Sequence, residues 1–382
     1  MTSVWIGFLM LGVTIVAHIF LVSLVLGLAV MAPIIEYWAY RTGDKELEAV
    51  AKDTLKYMAV SELAAGVWAT WFTVALAGFW PQLTFIATDV LFYPLTIALF
   101  GVMLGIPLMA VYWYTWDTVS KKLHIAIGSF MALGAMLVPT GFNMIFAFLD
   151  DPVGMAGALH GNGWAVFANP LYPDFTFHRI TAAISMVALA ISAIYSLKAS
   201  TGEEHYLKAS KFGLYVGLPA LLLASISGAA YALELDKYSP YVASSVLGPL
   251  SATSLSTYFH LYPAFVGFMG IVTLIWAASI FNVLHQAFDW AKKASSWVLL
   301  VSALVGVPYG EVLNDLPRYP YMVITGTGGL PASLFINHWM DIPQVFAVAA
   351  FAVGAVLMAA FSYMIYLVFV SKLPGKKVSG GE

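Results

Sequence analysis

Long runs of apolar residues, separated by short polar stretches, make up almost the whole chain. Nine of these runs are long enough to cross a hydrocarbon core of about 30 Å at about 1.5 Å per helical residue. The pattern therefore predicts an all-α integral membrane protein that forms a single transmembrane domain over residues 1–382. The predicted helices lie near residues 4–38, 57–80, 90–115, 123–149, 177–198, 211–235, 258–286, 295–313 and 342–371.

The composition agrees with this prediction and limits the chemistry. Hydrophobic residues make up 61% of the chain and charged residues 10%, with a mean hydropathy of +0.86, whereas a soluble domain carries about 25% charged residues. Cysteine is absent, which excludes disulfides, iron–sulfur clusters, zinc–thiolate sites and covalently attached haem c. Any metal ion or haem is therefore expected on histidine, methionine or carboxylate side chains.

Basic residues are concentrated at alternate ends of the predicted helices. The positive-inside rule places these ends in the cytoplasm, the N-terminus outside and the C-terminus inside, in agreement with an odd number of spans. The N-terminal run lacks the basic region and cleavage site of a secretory signal, so we interpret it as a retained first helix. Of the 17 basic residues, 14 lie on the cytoplasmic side: Arg41, Lys45, Lys52, Lys56, Lys121, Lys122, Lys198, Lys208, Lys211, Lys292, Lys293, Lys372, Lys376 and Lys377; Arg179, Lys237 and Arg318 lie on the other.

Two sizeable loops fall on the outer side of this topology. Residues 150–176 and 314–341 are rich in glycine, proline and aromatic residues rather than in charge. We expect them to form ordered caps over the outer surface, where a partner would bind. Neither a linker nor a separate soluble domain is evident in the sequence.

Three histidines, His18, His178 and His260, lie within or at the mouths of the apolar segments. An ionisable side chain at membrane depth is costly unless something pairs with it, and an imidazole there is a natural axial ligand of haem iron. His178 and His260 begin the fifth and seventh helices at a similar outer depth, as two ligands of one haem must. His18 lies roughly 21 Å along the first helix, which still allows a place in the outer half of the membrane. The alternative is that each is a packed, hydrogen-bonded residue. The other histidines, such as His124 at a cytoplasmic helix end, are weaker candidates.

Several charged residues are further candidates. Arg179, at the start of the fifth helix, suits pairing with haem propionates, or is an interfacial arginine that snorkels to water. Glu62 and Glu311 lie at membrane depth near the inner end of helix 2 and the outer end of helix 8. Buried acids of this kind relay protons or bind iron. Asp315 and Arg318 follow in the run GEVLNDLPRYPY and, three residues apart, alternatively satisfy each other as a local ion pair.

Four segments resemble subunit I of the cytochrome bd quinol oxidase family, whose members also have nine spans. AHIFLVSLVLGLAVMAPIIEYWAYRTGDK resembles the family's first helix, and PLTIALFGVMLGIPLMAVYWYTWDTVSKKLH its third helix and the following loop. FTFHRITAA resembles the start of the fifth helix, and NDLPRYPY a diverged acid-x-G-R-Q-P-W signature. The resemblance implies that His18 ligates a haem, that His178 ligates the low-spin haem b, that Asp315 is a haem-ligating acid, and that Arg318 is the signature arginine.

The third helix departs from the family pattern. Two glutamates there serve the oxygen-reducing haem and its proton supply in the family, and Ala98 and Ile106 stand at the matching positions of this chain. Neither side chain carries a proton or binds iron. The family's long quinol loop is reduced to about residues 236–257, without a visible quinol motif. These departures argue against oxygen reduction, whereas the elements that bind haem are retained.

The seventh helix departs as well. In the family it carries a methionine as the second ligand of the low-spin haem, but in YFHLYPAFVGFMG the residue near that place is Phe265. His260 lies just over one turn earlier and Met269 one turn deeper. We therefore expect a bis-histidine haem b held by His178 and His260, with Met269 as the alternative ligand.

Together these features predict a haem b-binding electron-transfer subunit of a bd-like oxidoreductase complex that does not itself reduce oxygen. One haem b is expected, and as many as three on family grounds. Since the chain cannot attach haem c, such a group would come from another subunit. The resemblance implies a second membrane subunit, and the electron partner is expected to be a quinone, a cytochrome c or another redox protein on the outer side.

The expected location is the prokaryotic inner membrane, with lipid contacts and no nucleic-acid partner. Two alternatives remain open at this point. The first is a functional quinol:oxygen oxidoreductase with a rerouted proton path, which quinol-driven oxygen uptake would distinguish. The second is a haem-free transporter or scaffold on which the three histidines are structural, and absence of haem absorbance would identify it.

Overall fold

The computed structural model of the protein describes residues 2–201, 206–285, 287, 289–336 and 344–366, and these are almost entirely helical. Short 3-10 segments follow α-helices at Gly248–Leu250 and Leu316–Arg318 and a β-strand at Ala332–Leu334, and a longer one spans Gly163–Ala168. A two-stranded hairpin is formed by β1 (Tyr321–Thr325) and β2 (Gly328–Pro331). The helices are α1 (Thr2–Thr42), α2 (Lys45–Phe79), α3 (Pro81–Asp89), α4 (Phe92–Tyr114), α5 (Lys121–Asp150), α6 (Met155–Leu159), α7 (Leu171–Ala199), α8 (Leu207–Tyr238), α9 (Pro240–Leu247), α10 (Tyr262–Leu284), α11 (Trp290–Asp315) and α12 (Gln344–Tyr366).

Eight helices of the described chain are long and apolar enough to cross a membrane: α1, α2, α4, α5, α7, α8, α10 and α11. They coincide with the first eight predicted spans, so the prediction of an all-helical integral membrane fold is confirmed. The ninth predicted span overlaps α12, of which Phe351–Tyr366 forms a shorter apolar helix. A count of nine spans and the orientation of the termini stay predictions, and Lys372, Lys376 and Lys377 lie outside the described residues.

The lysine-bearing connections meet at one end of the bundle. Lys208, in the first turn of α8, pairs with Asp44 before α2 at 2.8 Å, and Lys121, at the start of α5, pairs with Glu48 in the first turns of α2 at 2.7 Å. We call this end the lysine-rich face and the opposite end, where α5 ends and α7 begins, the distal face. The positive-inside rule predicts that the lysine-rich face is cytoplasmic.

The helices are longer than the apolar runs that predict them, and α2 shows why. It begins at Lys45 rather than near residue 57 because Asp44 caps it: the Asp44 Oδ1 accepts hydrogen bonds from the backbone N–H groups of Glu46 (3.0 Å) and Leu47 (3.2 Å). A capping carboxylate of this kind satisfies amides that the helix itself leaves unpaired. The Lys208 ammonium group lowers the pKa of Asp44, and these amides lower it further by a smaller amount. Polar first turns therefore extend helices beyond the hydrophobic span.

Helix α7 lies at the centre of the bundle and is buried along most of its length. It packs most extensively against α8 and also against α1, α5 and α11, while α4 pairs with α5 and α10 with α11. At the crossing of α1 with α7, a Cβ added to Gly27 would lie 2.6 Å from the Ala183 carbonyl oxygen. Only glycine allows the two backbones this approach, so α1 and α7 are held in one register.

The loops of the distal face are ordered, as predicted, within 150–176 and 314–336. The first contains α6 and the longer 3-10 segment, and the second contains the antiparallel β-hairpin. Tyr319 links the second loop to its neighbours: its carbonyl oxygen accepts a hydrogen bond from the Tyr241 hydroxyl at 3.1 Å, and its ring packs edge-on against Trp5 at 5.0 Å. These contacts close the distal end of the bundle over the charged residues described next.

Candidate functional site

A buried ion pair joins the end of α5 to the 3-10 turn after α11. The Arg318 Nε donates to Asp150 Oδ1 at 2.7 Å and its Nη2 donates to Asp150 Oδ2 at 3.0 Å, a two-pronged contact between residues 3% and 1% exposed. The Tyr231 hydroxyl of α8 donates to Asp150 Oδ2 at 3.2 Å. Asp315 is a second, more distant partner of Arg318, with 3.4 Å between Oδ1 and Nη1. The predicted Asp315–Arg318 pairing is present, but Asp150 is the main partner of the arginine.

A second ion pair lies between α7 and α11. The Arg179 guanidinium pairs with the Glu311 carboxylate, and Arg179 Nη1 lies 3.5 Å from Asn143 Oδ1. The guanidinium carbon is also 4.9 Å from the ring centres of both Phe146 and Phe175, which allows cation–π attraction. Arg179 is thus held by protein groups rather than extended to the surface.

Together these residues form what we call the distal charged cluster: Asp150, Arg179, Glu311, Asp315 and Arg318. Three carboxylates face two guanidinium groups. Buried polar atoms normally have hydrogen-bond partners, yet four around this cluster have none in the described structure: Asn143 Nδ2, Glu311 Oε1, Asn314 Nδ2 and Asp315 Oδ2. The cluster therefore retains both donors and acceptors for a further polar group.

His178 is fixed in a way that suits metal binding. Its Nδ1 lies 2.8 Å from the carbonyl oxygen of Ala224, which assigns the proton to Nδ1 and leaves Nε2 with a free lone pair. A histidine ligand held through its other nitrogen by a carbonyl is the usual arrangement at metal centres. Gly228 makes room for the ring, because an added Cβ would lie 2.8 Å from Nδ1. His178 is therefore oriented by α8.

His18 is packed against α2 on the other side of the bundle. Its ring stacks on Phe72 with centroids 5.8 Å apart and planes 12° apart, and it lies beside the backbone of Ala65. Its Nδ1 is buried without a hydrogen-bond partner in the described structure. A buried nitrogen with no partner suits a metal ion or a hydrogen-bonding ligand. Glu62 lies one turn from Ala65 on the same face of α2 and is half-buried.

The other two candidate ligands have different surroundings. His260 is exposed in the connection before α10, and Met269 is 45% exposed on α10 itself. Helix α10 packs mainly on α11 and also contacts α8, where the Trp276 indole donates to the Ser225 hydroxyl at 3.3 Å. Among the described residues no hydrogen bond or ring contact joins His178 to His260 or Met269, and the second ligand stays a prediction. Phe265 packs into the apolar core under the distal loops.

Ala98 and Ile106, the positions that the family resemblance matches to two glutamates, have different surroundings in the structure. Ala98 on α4 is fully buried against α5, where a Cβ added to Gly141 would lie 2.6 Å from the Ala98 Cβ and 2.3 Å from the Pro94 carbonyl oxygen. Ile106, two turns further along α4, is 43% exposed on the outside of the bundle. Close packing thus fills the space beside position 98, and position 106 points away from the core.

Sequence reasoning missed Asp150, Asn143 and Tyr231. Asp150 and Asp151 close the apolar run of α5, where an acid is easily interpreted as the polar end of a span. The sequence feature that could have indicated Asp150 was Arg318. A buried arginine requires a carboxylate partner, and the acids at the same depth as Arg318 include Asp150.

The family comparison matches residues 8–249 to the model described as cytochrome bd terminal oxidase subunit I. His18 and His178 lie inside this region, whereas His260, Met269, Asp315 and Arg318 lie beyond it. No curated protein matches the chain. Among solved structures, bd oxidase from Geobacillus thermodenitrificans has the same fold, with a TM-score of 0.79 at 16% identity over 97% of this chain and 99% of that one.

The matched region covers well over half of the chain, and the apolar helices have the length and composition of membrane spans. The protein is therefore a multi-pass protein of a prokaryotic inner membrane, and it belongs to the cytochrome bd terminal oxidase subunit I family.

Proposed function

We propose that this chain is the haem b-binding electron-transfer subunit of a bd-type complex and that it does not itself reduce oxygen. The packing at position 98 is the observation that supports the absence of oxygen reduction. Reduction of oxygen to water consumes protons, and the implied proton-carrying position on α4 is an alanine enclosed by Gly141 and Pro94 of the α4–α5 contact. A Cβ added to Gly141 would lie 2.3 Å from the Pro94 carbonyl oxygen and 2.6 Å from the Ala98 Cβ, so α4 and α5 are too close there for a longer side chain at position 98 to extend between them.

The described residues fit a haem group. His178 offers Nε2 while α8 holds Nδ1, and His18 offers a buried nitrogen without a partner. When bound, haem supplies a one-electron carrier whose potential its ligands and surroundings set. The chain's own part is to hold the ring through histidine, to exclude water with the distal loops, and to fix the charge near the site.

The distal charged cluster suits the polar edge of such a group. Each arginine already has a carboxylate partner, so the free donors are the Asn143 and Asn314 amide groups. We propose that these amides, with Arg179 and Arg318, donate hydrogen bonds to the propionate oxygens of a haem. Asp315 is then the acid that a second haem could use as a ligand. Asp150 and Glu311 hold the arginines in place.

The electron partner is a quinone, a cytochrome c or another redox protein at the distal face, and a second membrane subunit completes the complex. A haem c can enter only on another subunit, since the chain has no cysteine. The ordered distal loops provide the surface that such a partner would contact.

Oxygen uptake tests the proposed function directly. The purified complex should show reduced haem b after dithionite, yet quinol should drive oxygen uptake no faster than the rate without protein. The favoured competing function is a working quinol oxidase, for which Glu62 supplies a carboxylate one turn from the backbone beside His18. Quinol-driven uptake that Glu62→Gln abolishes would contradict our proposal and support that oxidase. Absence of any haem absorbance would contradict both.

The second ligand of the low-spin haem is tested by paired substitutions. If His260 is the ligand, His260→Ala should abolish the bis-histidine signal in electron paramagnetic resonance and near-infrared spectra while other haems remain. Met269→Ala, on α10 itself, is the matched control and should leave that signal unchanged. The reverse pattern would assign the ligand to Met269, and two unchanged spectra would exclude both residues.

A further inference from the structure

A buried polar cluster near the lysine-rich face is separate from the distal site. It joins Glu36 of α1, Tyr112 of α4 and His124 of α5, whose exposed fractions are 1%, 0% and 0%. The Tyr112 hydroxyl donates to Glu36 Oε2 at 2.6 Å, and His124 Nδ1 lies 2.7 Å from Glu36 Oε1. The rings of Tyr112 and His124 stack at 4.2 Å. We call these three residues the Glu36 cluster.

The hydrogen bonds of His124 determine how many protons the cluster holds. Its Nε2 lies 2.8 Å from the backbone carbonyl oxygen of Tyr112, which only accepts, so Nε2 must carry a hydrogen. A neutral imidazole then has no hydrogen on Nδ1. The 2.7 Å contact between Nδ1 and Glu36 Oε1 therefore requires one more proton, either on His124 as imidazolium or on Glu36 as carboxylic acid. Without it, a nitrogen lone pair would face a carboxylate oxygen in a buried site.

One aromatic side chain separates the cluster from the lysine-rich face. The indole of Trp116 meets the His124 ring edge-on at 4.8 Å, and the Lys121 and Lys52 ammonium groups lie over that indole at 4.8 and 5.7 Å. The charged groups around the cluster are paired with one another: Lys121 with Glu48 and Lys52 with Asp117. On the α7 side the cluster's apolar surroundings include the buried ring of Tyr195.

We propose that the Glu36 cluster is a proton-binding site that holds one exchangeable proton, shared between Glu36 and His124 and supplied from the lysine-rich face. With the proton bound, the pair is neutral overall. Release of the proton leaves the Glu36 carboxylate beside a neutral imidazole with a net charge of −1, and uptake of a proton restores the first state. No redox partner takes part in either step.

The site is independent of the proposed haem ligands. Glu36 lies 18 residues beyond His18 on α1, which is about 27 Å along the helix axis. The proton links side chains from α1, α4 and α5. Once it is lost, the negative carboxylate of Glu36 faces the lone pair on His124 Nδ1 where these helices meet, and the two groups repel each other. Proton occupancy is therefore linked to the packing of α1 against the α4–α5 pair.

The protonation state of His124 tests the proposal on the unmodified protein. Nitrogen-15 NMR of histidine-labelled protein in lipid, together with infrared spectra of carbon-13-labelled glutamate, reports both groups of the cluster. We expect either an imidazolium with an ionised Glu36 or a neutral imidazole with a protonated Glu36, and exchange of this proton for deuterium. A neutral His124 beside an ionised Glu36 at every pH at which the protein stays folded, or a proton that never exchanges, would overturn the proposal.

Glu36→Gln provides the variant test, because a glutamine amide can donate to a neutral Nδ1 and accept from Tyr112 in the same space. The variant should retain the fold, lose the Glu36 carboxyl band and hold His124 as a neutral imidazole. Glu62→Gln and His285→Asn remove the same residue types elsewhere and should leave the signals of the cluster unchanged, which identifies those signals as belonging to Glu36 and His124. Tyr112→Phe removes one hydrogen bond to Glu36 and should shift its carboxyl band. A folded Glu36→Gln protein in which His124 is an imidazolium would contradict the proposal.

Discussion

Replacing His178 with alanine is expected to remove one haem b from the protein and with it the low-spin signal. The imidazole of His178 is held through its Nδ1 by a neighbouring helix, through the Ala224 carbonyl oxygen at 2.8 Å. Loss of such an oriented ligand removes the bond to iron, and loss of the orienting partner alone already weakens metal sites by about 10–100-fold. Haem content by pyridine haemochrome and the reduced-minus-oxidised spectrum measure the effect.

Two further variants separate ligation from packing. Gly228→Ala keeps the imidazole but places a Cβ 2.8 Å from Nδ1, so the low-spin band should shift rather than vanish. His160→Ala changes an exposed histidine of a distal loop and should leave the spectrum intact. His18→Ala should affect a different haem population. An unchanged low-spin spectrum in folded His178→Ala protein would rule out His178 as a ligand.

Asp150→Ala is expected to produce the largest loss of stability among single substitutions at the distal face. It removes both hydrogen bonds to the Arg318 Nε and Nη2 and leaves a guanidinium 3% exposed with the longer contacts to Asp315 and Asn314, both at 3.4 Å. Breaking a buried ion pair in this way costs about 3–5 kcal/mol, most of it from the charge left unpaired. Thermal unfolding in detergent should show a clearly lower midpoint, and haem content should fall with it.

The neighbouring acid supplies the control. Asp151 is half-buried, and burial followed by the Asp150 carboxylate raises its pKa, but it forms no ion pair in the described structure. Asp151→Asn should therefore change the midpoint little. The double variant Asp150→Ala with Arg318→Met removes the unpaired charge and should recover part of the loss. Equal midpoints for Asp150→Ala and Asp151→Asn would contradict the role assigned to the ion pair.

The sequence predicts the membrane helices well because each is an apolar run of sufficient length. It predicts their ends less well because capping and polar first turns, such as Asp44 before α2, lie outside the hydrophobic pattern. His18 stands out in the sequence because it is an ionisable group within a long apolar run, and His178 because, beside Arg179, it begins another.

The pairings of these groups could not be predicted. Asp150 and Arg318 are 168 residues apart, and only the crossing of α5 with the end of α11 joins them. The sequence offers Arg179 as a partner for haem propionates or as an interfacial arginine, whereas its Glu311 partner depends on how α7 packs on α11. His124 looks like a histidine at a helix end until α1 and α4 bring Glu36 and Tyr112 to it. Long-range packing, not local sequence, determines what each charge does.

The contact between α4 and α5 also bears on how this chain could change again. Ala98 and Gly141 meet where backbone atoms of α4 lie closer than a methyl group allows. A single mutation to glutamate at position 98 would have to separate the two helices before its carboxylate could serve any reaction. An acid at position 98 would thus need further substitutions along the α4–α5 contact to make room for it, so a single mutation there is not expected to supply a working carboxylate.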